Sequence, residues 1–409
     1  MEAIVERCAG LDVHQESVVA CAICGSLDRR PTMTAAVYGT TTAELLVLVD
    51  WLEALEITHV AMESTGVYWK PVWNLLEGHG FTLILANAQR IKNVPGRKTD
   101  MKDAEWIARL LRSGLIEPSF VPPTDIRDLR DLTRYRKKLR QDATSEKNRI
   151  HNKVLQDANI KLASYMSDLF GVSGRAILAS VMGGEVITET ALEPLVHGRL
   201  RPKLARLVEA LNGRLRRHHR DMIRFSWDHL CFLEQQIVTV EREIDSSLQT
   251  YREKVDLLVT LPGVKPTAAA AILAEIGPDV MQFPSAGQLA SWAGVSPGVY
   301  QSAGKVKRVR TLPGNAMLKA TLCECAWAAA MSRNTRLSSC YWRLVKRMGK
   351  KKALIALAHT MLRIIYAMLR DNKPYEEFGP DFGTKKRLNH EDRMVKQLKA
   401  LGYTVSRVA

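Results

Sequence analysis

Four carboxylates stand in short motifs before residue 104: Asp12 in Gly-Leu-Asp-Val-His, Glu63 in Ala-Met-Glu-Ser-Thr-Gly, and Asp100 with Asp103 in Thr-Asp-Met-Lys-Asp-Ala. An acid between Leu11 and Val13 in an apolar run is costly to bury without a partner, which marks Asp12 for a role. Asp100 and Asp103 are three apart, so on a helix their Cβ atoms lie about 5–6 Å from each other. Carboxylates gathered in this way repel unless hard cations intervene, and Mg2+ is held through carboxylates and substrate phosphate oxygens. Two such ions about 3.5–4 Å apart activate an attacking oxygen and stabilise a leaving one in an in-line phosphoryl transfer. Taken singly, each acid has a plainer use: Asp100 suits a helix N-terminus, Asp103 can pair with a base, and Glu63 can cap a turn.

A second set lies far along the chain, in Val299-Tyr-Gln-Ser-Ala-Gly-Lys305, followed by Lys307, Arg308 and Arg310 and then Pro313-Gly-Asn315. Serine in a Gly-containing loop is usually a turn residue, but Ser302 is unhindered by Ala303 and Gly304, and its basic neighbours favour an approaching phosphate. Ser291 and Ser296 are the nearest alternatives, better explained by capping and turns. Leu261-Pro-Gly-Val264 before Ala274-Glu-Ile-Gly277 suits a helix-hairpin-helix whose backbone N–H groups take a phosphate, or equally an ordinary helical corner.

The elements that must hold these residues can be read from pattern. The run from Ala9 to Cys24 and that from Thr34 to Tyr38 predict successive antiparallel strands. Thr42 is placed to cap a helix carrying Leu45, Leu46, Val49, Leu52 and Leu55, and Thr58–Met62 predicts a strand. A helix over Val67–Glu77, a strand over Phe81–Ala86 and a helix over Asp100–Leu111 follow, giving three strands, helix, strand, helix, strand, helix. Asp12 in the first strand and Glu63 at the end of a later one share a sheet edge if those strands are parallel neighbours.

Beyond Pro118 and Pro122-Pro123, Leu129, Leu132, Tyr135, Leu139, Ala143, Ile150 and Val154 recur at three- and four-residue steps, predicting a long basic amphipathic helix. Leu230, Leu233, Ile237, Val240, Ile244 and Leu248 form a second stripe, so the two could pair within one chain or between protomers. Between them, Arg214, Arg216, Arg217, His218, His219 and Arg220 form a basic cluster, for which solvation and phosphate contact are both open readings. After the run Lys350-Lys351-Lys352 comes a final core-like helix, and the last thirty residues are polar.

Charge is segregated. Residues 1–125 hold 11 Lys and Arg against 16 Asp and Glu, and the remainder of the 409 residues holds 48 against 27 within a total of +16. A strongly basic second part predicts a polyanionic partner, and an acidic first part inside a basic protein fits carboxylates retained for metal. The seven scattered cysteines suit a reducing compartment. Cys21 and Cys24, or Cys323 and Cys325, lack the further ligands a zinc site needs. Glu2 and Glu6 interrupt any signal-peptide pattern, and Ala353–Leu369 contains His359 and Arg363, so a cytoplasmic protein without a membrane role is expected.

The motifs GLDVHQ, AMESTGVYW, KTDMKDA with EWIARLL, LPGV, AAAILAEIG, SWAGVSPGVYQSAGK and a closing Gly-Asn before a helix occur in that order over about residues 8–345. In this the chain resembles the insertion-sequence transposases that carry a RuvC-like DEDD domain followed by a transposase-20 domain. The resemblance implies an α/β RNase H-like (RuvC-like) N-terminal domain, then mostly α-helical domains with a long helical or coiled-coil segment and a helix-hairpin-helix-like C-terminal domain. The expected boundaries are 1–125, 126–255, 256–345 and 346–409. It further implies Asp12, Glu63, Asp100 and Asp103 as the Mg2+ site and Ser302 as the nucleophile that forms a covalent phosphoserine with DNA. Ala303 stands where the family often has a second glycine.

Lys305, Lys307, Arg308, Arg310, Arg216 and Arg217 are the expected nucleic-acid contacts. Element-end and target DNA, a noncoding bridge RNA and further copies of the chain, in a homodimer or homotetramer, are the partners implied, in a bacterial, nucleoid-associated setting. Two rival readings remain at this point: a RuvC-like junction endonuclease using metal-activated water, and a nucleic-acid-binding module whose carboxylates are structural.

Overall fold

A computed structural model describes residues 3–63, 66–86, 100–302, 305–311, 313–380, 394–395 and 397–405, with backbone alone at 100–102, 299–302 and 305–310. Ala303, Gly304 and much of the polar tail lie outside the described residues. The chain forms two compact units, Met1–Val121 and Pro122–Ala409.

The first unit is built on a five-stranded sheet of β1 (Arg7–Val13), β2 (Ser17–Cys24), β3 (Thr32–Gly39), β4 (His59–Glu63) and β5 (Thr82–Ala86), in the order β3-β2-β1-β4-β5. β1, β2 and β3 are antiparallel neighbours, and β4 and β5 run parallel to β1. β1 and β2 are apolar on both sides because both sheet faces are covered. One face packs Leu11, Val18, Val60 and Met62 against Leu48 and Leu52 of α1 (Thr42–Ala54) and Val72 and Leu76 of α2 (Trp69–Leu76). The other packs Cys8, Val19, Cys21 and Ala61 against Ala104, Ile107 and Ala108 of α3 (Asp100–Arg112). This order and direction of strands, with helices on both sides, is the expected RNase H-like arrangement. The cap of α1 is Thr41, one residue before the expected Thr42: its hydroxyl accepts from the Glu44 N–H and donates to the Glu44 carboxylate at 2.8 Å, a reciprocal cap.

The second unit is mostly helical. Pro123 immediately precedes α4 (Thr124–Asn148), which runs on through a π-helical stretch, Arg149–Leu155. After α5 (Val172–Gly183), α6 (Glu189–Leu192) and α7 (Leu204–Leu211) comes α8 (Arg217–Ser247), which packs along α4 within the chain. Leu129, Leu139 and Ala143 on one helix and Leu230, Leu233, Ile237, Val240 and Ile244 on the other are buried, whereas Tyr135 of the expected stripe is half exposed. Ile150, Val154, Ile177, Leu178, Leu207, Leu211 and Ile223 make a separate small core beyond that pair.

Next come α9 (Arg252–Val259), α10 (Pro266–Ile276) and α11 (Ala286–Trp292), then a hairpin of β6 (Pro297–Ser302) and β7 (Lys305–Thr311). The chain continues with α12 (Ala316–Met331), α13 (Arg336–Met348) and α14 (Lys350–Asp371). α14 is long and apolar enough to cross a membrane by length and composition, but Leu357, Met361, Leu362 and Ile365 are buried against its neighbours, as in a core helix.

Candidate nuclease and serine sites

The carboxylate site begins with strand register. Leu11 pairs with Met62 in the parallel β1–β4 ladder, so Asp12 and Glu63 are the next residues on adjacent strands and share a face. Glu63 in turn is level with Ala86 of β5. That face is the one covered by α3. Gly10 makes the approach possible: a Cβ there would come within 2.4 Å of both the Ala104 carbonyl oxygen and the Ala108 nitrogen. Cys8, two residues earlier, donates its thiol to the Ala108 carbonyl. The helix therefore runs opposite to β1, and Asp12, two residues beyond Gly10, lies toward the N-terminal turn that carries Asp100 and Asp103.

Arg112 fixes the far end of α3, with its guanidinium donating to the carbonyls of Glu6, Gly25 and Ser26 at 3.0–3.1 Å. Asp12 is largely shielded, and His14 Nε2 lies 3.2 Å from its Oδ2. That contact was absent from the sequence reading; its only signal was the spacing of two in GLDVHQ, which puts both residues on one side of a strand.

Asp12 and Glu63, side by side at one sheet edge, are anionic oxygen donors of the kind a hard divalent cation selects, so these residue types fit Mg2+. Among the described residues no three His, Cys, Asp or Glu side chains lie close enough to form a metal site, and the side chain of Asp100 is outside that set.

In the second unit, Ser302 is the last residue of β6 and pairs with Lys305, which places it at the tip of a hairpin rather than in an irregular loop. Lys305, Lys307, Arg308 and Arg310 all belong to β7; the description of Ser302 and of these four is confined to the backbone. The base of the hairpin is fastened tightly. Gly314 packs so close to the Trp292–Gly294 backbone that a Cβ would lie 2.3 Å from the Gly294 nitrogen, and the Asn315 N–H donates to the Trp292 carbonyl. Asn315 Oδ1 caps α12, accepting from Met317 and Leu318, while its amide donates to Glu275 Oε2 at 2.6 Å.

Glu275 is buried and also receives both arms of Arg134, at 2.8 and 2.9 Å, with Arg130 3.5 Å away. Burial pulls Arg130 below the ordinary guanidinium range, and the hydrogen bond to Glu275 pushes Arg134 above it. The Glu of AAAILAEIG and the Asn of the closing Gly-Asn thus meet and tie the hairpin base to α4. Ser296 donates its N–H to the Ala290 carbonyl, and the Ser291 carbonyl accepts from Gly294, both backbone roles.

Gly263 of LPGV has φ +89°, and a Cβ there would lie 2.4 Å from the Cys325 carbonyl. Close packing on α12 accounts for that glycine. Of the basic cluster, Arg216 caps α8: its N–H donates to His219 Nδ1 and its guanidinium lies 3.6 Å from Asp157. Arg217 is almost fully exposed, 3.8 Å from Asp221.

Two family models match in the order the motifs predict: the DEDD model described as "Transposase" over residues 9–159, and that of the "Transposase IS116/IS110/IS902 family" over residues 255–342. An uncharacterised 44.8 kDa protein of insertion element IS116 from Streptomyces clavuligerus is 25% identical over 84% of this chain and 92% of its own length. The pilin gene-inverting protein of Moraxella bovis is 28% identical over 41% of this chain, which spans about half (52%) of that relative's length. The structure of Thermus thermophilus RuvC covers 28% of this chain and 99% of its own at 13% identity, with a TM-score of 0.22. With consecutive models covering more than half of its length, the chain belongs to the IS116/IS110/IS902 family of transposases.

Proposed function

We propose that this protein is a DNA transposase that cuts and rejoins DNA through a covalent phosphoserine. The observation that supports it most is the pairing of two unlike sites in one chain: Asp12 and Glu63 in register beneath α3, and a serine at the tip of a braced hairpin whose other strand is basic. In this reading Ser302 Oγ attacks a phosphodiester, the new O–P bond forming as one P–O bond to deoxyribose breaks, and the sugar oxygen leaves as a hydroxyl. A hydroxyl of another strand then attacks the phosphoserine, restoring the serine and joining the strands. Lys305, Lys307, Arg308 and Arg310 hold the phosphates beside it. Asp12, Glu63, Asp100 and Asp103 would hold Mg2+, which supplies Lewis-acid polarisation of the scissile phosphate when bound.

We extend the proposal to a noncoding bridge RNA, supported by the excess of positive charge beyond residue 125, with Arg217 and Arg216 among the contacts, and, from the family resemblance alone, to assembly as a homodimer or homotetramer.

The test incubates wild type and Ser302→Ala with Mg2+, end-labelled element-end and target DNA, and transcripts of the flanking noncoding DNA. The expected result is an SDS-resistant protein–DNA adduct from wild type alone, abolished by Asp12→Asn. Cleaved DNA without adduct from both proteins would overturn the serine mechanism in favour of metal-activated water.

A further inference from the structure

Helices α12 and α13 carry a feature that neither the carboxylates nor the serine hairpin uses. Tyr341 is buried with an exposed tryptophan on each side: Trp342, 46% exposed, with ring centroids 5.2 Å apart, and Trp327, 49% exposed, at 6.2 Å. Both indoles meet the tyrosine edge-on, at 75° and 90°, so the central ring holds them while leaving them open to solvent.

Trp342 is not isolated. On a helix, residues 342, 343, 346 and 347 occupy one continuous arc, opposite the side that buries Leu337 and Tyr341, and here they are Trp, Arg, Lys and Arg, all exposed. Gly349, with φ +80°, breaks the helix, and α14 opens at once with exposed Lys350, Lys351 and Lys352. From 336 to 352 there is no Asp or Glu. Among the described residues Arg343, Lys346, Arg347 and the three lysines enter no ion pair. Three cations in the first turn of a helix oppose its dipole, so the fold gains nothing from them there. Their placement makes sense for an anion brought from outside.

We propose that this face binds an unpaired segment of polynucleotide, with phosphates along Arg343, Lys346, Arg347 and Lys350–Lys352 and a base stacked on Trp342. Charge complementarity selects a polyanion over an apolar or acidic-poor protein partner. The exposed indole selects a single strand over a duplex, because a duplex keeps its base faces stacked inside while a single strand can lay them on an aromatic platform. DNA and RNA share this chemistry. The surface is independent of the phosphoserine reading: it serves any nucleic-acid-handling role of the chain, so failure of either leaves the other standing.

The experiment measures anisotropy of labelled oligomers of about 15 nucleotides bound to the full chain at several salt concentrations, as single-stranded DNA, the same sequence as RNA, and blunt duplex. For Trp342→Ala the expected loss is about 5- to 100-fold on single strands, with less than about twofold on duplex. Trp342→Phe should recover most of it. The triple change of Lys350, Lys351 and Lys352 to Ala should weaken all three ligands and flatten the salt dependence. Equal single-strand affinity of wild type and Trp342→Ala, or equal losses on duplex and single strand, overturns the proposal; circular dichroism and the Phe variant separate this from misfolding. Preference for the RNA or the DNA arm identifies the natural strand.

Discussion

At Glu275 a carboxylate is buried under two guanidinium groups and an amide, and each of its partners comes from elsewhere in the chain. Removing it takes the carboxylate from Arg134 and the opposite charge from the partly buried Arg130, whose guanidinium still donates to the backbone carbonyls of residues 274 and 275, so Glu275→Ala should destabilise the second unit by about 3–5 kcal/mol, measured by denaturant titration followed at the helical signal. A change below about 1 kcal/mol would show that water replaces the carboxylate. Gly10→Ala acts in the other unit. The added methyl meets backbone on α3 rather than a movable side chain, so we expect lower thermal stability and loss of metal-dependent cleavage together. Unchanged cleavage would mean that the placement of α3 over β1 does not matter to the site. Asp12 was legible in the sequence because an acid in an apolar strand is conspicuous by itself. Glu275 was not, because AEIG reads as a helix end until Arg134, 141 residues away, and Asn315, 40 residues away, are folded against it.

Elements with a strong period were read well from the sequence, and those whose pairing depends on distant chain were not. The two stripes predicted α4 and α8, since three- and four-residue spacing of Leu, Ile and Val has one physical interpretation. Their pairing within the chain is cemented by Glu241, which takes Arg136 and Arg140 at 2.6 and 3.1 Å, and by Glu234, which takes Lys147 of α4 at 3.4 Å and also Arg175 of α5 at 2.6 Å. The π-helical stretch after α4 was invisible, because Ile150 and Val154 four apart suit an α-helix equally. The β6–β7 hairpin reads as a loop in the sequence, since β6 opens on Pro-Gly and β7 is rich in Lys and Arg.

Burial pulls the Glu234 and Glu241 carboxyls upward, yet their basic partners hold both below the ordinary carboxylate range. Their contribution to stability is therefore fully present above the unfolded value of 4.5 and is lost as pH falls through the lower folded values. Melting temperature should be level between pH 7 and about 5 on this account and drop below about 4.5, with a shallower drop for Glu241→Gln. An identical acid profile for that variant would remove Glu241 from the explanation.

On the scale of the whole molecule, acid and base are divided between two units with separate cores. Expressed alone, residues 122–409 should fold, give a helical spectrum and bind nucleic acid with a steep salt dependence, but cleave nothing if the carboxylates of the first unit act as proposed. An aggregated or unfolded fragment would show that the first unit is required to complete its core. The buried cysteines extend this division into time. Burial pushes the thiols of Cys8 and Cys325 up to about 12 and that of Cys21 to about 11, so none is a nucleophile while its surroundings stay closed. Each unit thus contains its own opening clock. The rate at which a thiol reagent marks Cys8 and Cys21 reports how often the sheet parts from α3, and the rate at Cys325 reports when α12 comes away, so peptide-resolved labelling would show which half of the protein breathes first.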